Sequence, residues 1–201
     1  MSELFTFVRL GFHHITDREA LDHVLFLLAL AAIYRGRDWR DSLWVITAFT
    51  IGHSMTLALA VTGALRLPTP IIEFLIPLTI LTTGLENIVV RRRDRAPLGG
   101  RYRPVFAGVF GLVHGAGFAN YLTSLFTGSI VLPLFGFNVG IELGQLVVLA
   151  LAGLGLAGLD RVLGLLRSPE AAPSVFRLRV VAVSGVVVMV AARMAVTRAP
   201  W

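Results

Sequence analysis

The chain has 201 residues, of which 56% are hydrophobic and 15% charged, and its mean hydropathy is +0.78. A soluble domain carries nearer about a quarter charged residues and does not sustain long apolar runs, so the composition excludes an ordinary soluble enzyme and points to an integral membrane protein. The absence of cysteine excludes disulfides, thiolate metal sites and thiol nucleophiles. Every basic residue is arginine and the net charge is +6. In a membrane chain this reads first as topology, and no nucleic-acid partner is expected.

In chain order, the N-terminal segment 1–19 opens on "MSELFTFVRLGF". It lacks the basic start and small-residue cleavage site of a signal peptide, and is expected to remain as an outer arm. Six runs long enough to cross about 30 Å of hydrocarbon follow. They are Ala20–Trp39, Ser42–Leu65, Pro70–Val90, Pro104–Phe126, Ile130–Leu156 and Leu178–Val196. The first is the shortest in purely apolar residues, Val24 to Tyr34, and carries Asp22 and His23 at its outer end. "RLPTP", "APLGGRYRP", "TGS" and "SPEAAPS" supply the breaks between later runs. The prediction is a single all-α transmembrane domain over 1–201, a bundle of about six helices in the lipid bilayer.

Arginine orients that bundle. Loops one, three and five hold Arg35, Arg37 and Arg40, then Arg91, Arg92, Arg93, Arg95, Arg101 and Arg103, then Arg161, Arg167, Arg177 and Arg179. The opposite side has only Arg9, Arg18, Arg66 and Arg198. The positive-inside bias puts both termini outside, with the arginine-rich loops in the cytoplasm. For a bacterial chain this is a multi-pass protein of the inner membrane.

Ionisable residues inside spans are costly and face a partner or cavity. His53 falls at the centre of span two, His114 at the centre of span four and Glu142 near the centre of span five. Two imidazoles and a carboxylate form a first shell for a divalent transition metal such as Ni, Zn, Fe or Cu. Polar residues on the same faces extend the pattern: Thr47, Thr50 and Ser54 beside His53; Asn138 and Gln145 beside Glu142; and Thr79, Thr82, Thr83 and Glu86 on span three. Thr50, Ser54 and Asn138 are candidates to hydrogen-bond a ligating imidazole, and Glu86 to ease passage toward the cytoplasm. Gly108, Gly111 and Gly115, and separately Gly140 and Gly144, have the spacing that lets helices pack closely. Such packing is expected to draw His114 toward Glu142. A second group, His13, His14, Asp17, Glu19, Asp22 and His23, lies at the outer mouth. For each of these residues a plain structural use competes, as an interhelical hydrogen bond, a helix cap or a solvated side chain.

The motifs "GFHHI…LDHVLFLLALA", "FTIGHSMTLALA", "IEFLIPLTI", "FGLVHGAGFA" and "FNVGIELGQL" occur in this order on these spans. Together they resemble the HupE/UreJ family, nickel permeases associated with hydrogenase and urease maturation. The resemblance covers nearly the whole chain and implies a small inner-membrane protein that moves nickel or a related divalent metal. It places the family's histidine-plus-Asp-His element on His14, Asp22 and His23, and its His-Gly element on His114 and Gly115. The stretch from Ile15 to Leu21 is longer than the usual spacing, and Ala119 stands where the motif ends in glutamate, which implies a sister branch.

The resulting expectation is a permease in which Asp22 and His23 capture the ion outside and pass it to His53, His114 and Glu142. A homo-oligomer is compatible with it. The alternatives are an intramembrane metal-dependent hydrolase or redox enzyme using the same site, and a haem protein with His53 and His114 as axial ligands.

Overall fold

A computed structural model describes residues 3–17, 20–35, 38–66, 68–90, 100–125, 130–165 and 172–200. Glu19 and the arginines Arg18, Arg37, Arg91, Arg92, Arg93, Arg95 and Arg167 lie outside the described residues. Seven helices are found among those described: α1 Glu3–Thr16, α2 Leu21–Ile33, α3 Trp39–Val61, α4 Thr69–Val90, α5 Arg103–Leu125, α6 Val131–Leu165 and α7 Ala172–Thr197. Four of them, α3, α4, α6 and α7, are long and apolar enough to cross a membrane. The fold is an all-α membrane bundle.

The N-terminal segment, expected as an outer arm, is helical over Glu3–Thr16. It forms α1, which lies along α6 with backbones in near contact. A methyl group placed on Gly140 would sit 2.0 Å from the Val8 carbonyl oxygen, and one on Gly11 would sit 2.0 Å from that of Phe137. Gly136 meets Leu4, Gly140 meets Val8, and Gly144 meets Phe12 and Ile15, so the two helices run in the same direction. α2 continues that direction. Near its end the Ala32 carbonyl accepts a 3.1 Å hydrogen bond from Arg179, which also pairs with Asp160 of α6 at 2.5 Å. Successive contacts therefore descend α6 from Gly136 to Asp160 while the first two helices advance from Leu4 to Ala32. The pair behaves as one helix that stops at Thr16 and resumes at Leu21.

The run 20–39 is thus not one helix: α2 stops at Ile33 and α3 begins at Trp39. The intervening turn carries charge, and the Arg35 amide donates to the Asp38 carboxylate at 3.1 Å. Two halves of 14 and 13 residues together reach about 40 Å at 1.5 Å per residue. α6, by contrast, continues past Leu156 to Leu165, 35 residues in all.

α3 and α5 form the other close pair. Methyl groups on Gly52 and Gly111 would lie 2.0 Å and 2.1 Å from the carbonyl oxygens of Gly108 and Phe49, and one on Gly115 would lie 2.3 Å from that of His53. The glycines therefore serve different partners from those expected. Those of α5 bring His114 to His53, and those of α6 seat α1, which carries His14. Small-residue spacing marks close approach without naming the neighbour.

Candidate metal centre

The interruption between α1 and α2 builds the site. His14 lies in the last turn before it, and Asp22 and His23 in the first turn after it. α3 brings His53 and α5 brings His114 to the same place. The ligand atoms of His14, His23 and His53 lie within 4.8 Å of one another, as do those of Asp22, His23 and His114. His23 belongs to both groups, so the expected outer element and the central histidines form one cluster. Ring centroids separate by 4.8 Å for His14–His23, 5.2 Å for His23–His114 and 6.0 Å for His14–His53. The cluster is interior: His23 is 5%, His114 2% and His53 0% exposed.

Hydrogen bonds decide which nitrogens are available. The Thr79 hydroxyl donates to the Ile76 carbonyl at 2.7 Å, so its oxygen accepts from Nε2–H of His114, 3.0 Å away. A neutral imidazole bonded in this way keeps its lone pair on Nδ1, and among the described residues that atom has no partner. Asp22 acts similarly on His23. Its Oδ1 takes the backbone amide at 2.9 Å and stands 3.1 Å from Nδ1, which leaves Nε2 of His23 unpartnered. Nε2 of His14 and both nitrogens of His53 are likewise buried without a partner among the described residues. A buried polar atom left unpaired costs about 1–3 kcal/mol, so four imidazoles presenting free nitrogens to one another make a costly arrangement for packing alone. A cation reverses that cost. Nitrogen-rich, sulfur-free coordination suits nickel, copper(II), zinc or iron, and the carbonyl end of α1 adds partial negative charge beside it.

Thr79 is the supporting residue that the sequence reading did not single out. Its signal was its place on the polar face of α4, two residues after Pro77, which donates no backbone hydrogen bond of its own. Of the residues expected in that role, Ser54 and Thr50 bond elsewhere. Ser54 donates to the Thr50 carbonyl of its own helix at 2.6 Å, and the single hydroxyl hydrogen of Thr50 is shared between Oε1 of Gln145 at 3.0 Å and the Ile46 carbonyl at 3.1 Å. Oδ1 of Asn138 is buried without a partner among the described residues. Glu142 accepts a 2.7 Å hydrogen bond from Thr47 and is in neither ligand group. With Gln145 it makes a separate polar contact between α6 and α3.

The cluster faces a recess of about 670 Å³ lined by His13, His14, Asp17, Asp22, His23, Glu73, His114 and Arg198. His53 lies behind this lining. On the other side, Phe26 and Phe49 stack at 5.0 Å, and their rings stand 6.5 Å and 5.0 Å from that of His114. Beyond them Glu86 is held by Arg103 and Tyr102.

An all-α membrane bundle with a buried His/Asp cluster at a broken helix defines a membrane protein with a candidate metal centre. Residues 1–198 match the family described as HupE / UreJ protein; the chain belongs to that family, and the resemblance carried by its motifs is borne out. No curated protein and no solved structure matches it.

Proposed function

We propose that the protein is a permease for a divalent transition metal, nickel or a near relative, in the bacterial inner membrane. Both termini face outward, and α1 and α2 jointly make the first crossing. The ion enters by the recess and is held as cargo by His14, Asp22, His23, His53 and His114. The observation that carries this reading is the convergence of unpartnered imidazole nitrogens on the interruption between α1 and α2. Broken helices are a recurring way to place ion ligands within a membrane bundle. Family membership supports transport, and the separation of Glu142 from the histidines leaves it outside the ligand set.

An intramembrane enzyme using the same metal fits less well. Catalytic zinc keeps about three protein ligands and an open position, whereas here two three-residue groups overlap at His23, so further imidazoles stand beside either group. The test is metal content. Purified wild-type protein dialysed against Ni²⁺ retains an ion that His53→Ala and His114→Ala lose; equal content in all three, or none in wild type, ends the proposal.

A further inference from the structure

Below the Phe26–Phe49 layer lies a cavity of about 210 Å³, lined on its polar side by Thr82, Thr83, Glu86, Asn87, Tyr102 and Arg103. Phe26 lines it too, so one aromatic layer separates it from the histidines. The face of α4 that holds His114 through Thr79 continues to Thr83 and Glu86, about 10 Å further along at 1.5 Å per residue.

A part-buried ion pair forms part of the wall of this cavity. The Arg103 guanidinium donates through one nitrogen to both carboxylate oxygens of Glu86, at 2.7 Å and 2.5 Å, and lies 3.4 Å from Oδ1 of Asn87. Arg103 is only 8% exposed, yet its Nε has no partner among the described residues. Thr82 and Thr83 spend their hydrogens on carbonyls of their own helix, which leaves their oxygen lone pairs to accept. A carboxylate, an amide oxygen and two hydroxyls form an all-oxygen set. Such a set holds nickel or zinc less tightly than imidazole does, and an ion leaving a tight site needs a weaker one next in line.

We propose that this cavity is an inner cation station on the permeation path, with Glu86 as its ligand and Arg103 as a tethered cation that pairs with that ligand until a metal ion displaces it. The proposal rests on the permease reading and is tested separately from it. Purified full-length protein is dialysed against Ni²⁺ and its metal measured. In a His114→Ala background, which disables the cluster, Arg103→Gln gains about one ion per chain, and adding Glu86→Gln removes it. No gain on Arg103→Gln overturns the station. If wild type binds nothing while His114→Ala/Arg103→Gln binds an ion, the cluster fails and the station stands. The paired variant Glu86→Gln/Arg103→Gln leaves no buried charge unpaired and gives a second readout. It keeps the wild-type affinity of the cluster and loses Ni²⁺ uptake into proteoliposomes; unchanged uptake overturns the proposal.

Discussion

Thr79→Val tests the reading of the cluster at a residue that touches no metal. Valine matches threonine in shape, so the substitution opens little space. It removes the hydroxyl that accepts from Nε2–H of His114 at 3.0 Å and donates to the Ile76 carbonyl at 2.7 Å. Without that acceptor His114 is no longer fixed in the tautomer and orientation that direct Nδ1 at the ion. Loss of a supporting partner of this kind weakens metal binding by about 10–100-fold, or about 1.4–2.7 kcal/mol. Thr62→Val is the control, because among the described residues Thr62 bonds to carbonyls of its own helix alone, at 2.9 Å and 3.1 Å. Titration calorimetry with Ni²⁺ in detergent should show the weakening for Thr79→Val alone. Equal affinities for both variants and wild type would refute the assignment of Nδ1 as the ligating atom.

Glycine substitutions separate close packing from mere spacing. Gly115→Ala drives a methyl group to 2.3 Å from the His53 carbonyl oxygen, and should cost about 1–3 kcal/mol and metal retention together; Gly153, with nothing within 4 Å of its added methyl, should tolerate alanine in both thermal unfolding and metal content. Gly140→Ala strikes the Val8 carbonyl oxygen at 2.0 Å. It should displace α1 and weaken Ni²⁺ binding through His14 while leaving the α3–α5 contact intact, which cross-linking of cysteines placed on those two helices would verify. Glu142→Gln keeps an acceptor for Thr47 and should leave metal content at the wild-type level; loss of the ion would return Glu142 to the ligand set.

The histidines, Asp22 and the glycine spacings were legible in the sequence because hydrocarbon makes such residues conspicuous. Their grouping was not. Residues eight or nine apart, such as His14 with Asp22 and His23, look like one local motif at the mouth. The packing of α1 along α6, and of α2 beside it, carries them to His53 and His114. The pattern of α1 also hides its place in the bundle: at 14 residues it is too short to signal a crossing, and in the proposed topology it makes one only jointly with α2. Equal depth suggests Glu142 as a ligand, whereas its carboxylate accepts a hydrogen bond from Thr47 and is in neither group of ligand atoms, a direction around α6 that depth alone does not give. Thr79 was visible as part of a polar face, while its bond to His114 depends on how α4 and α5 meet.

Ni²⁺ flux into proteoliposomes loaded with a metal-sensitive dye tests the central claim most directly. The account predicts uptake by wild type and only the protein-free leak for His23→Ala, since His23 belongs to both ligand groups. Wild type that retains its metal through dialysis yet carries none across the bilayer would contradict it.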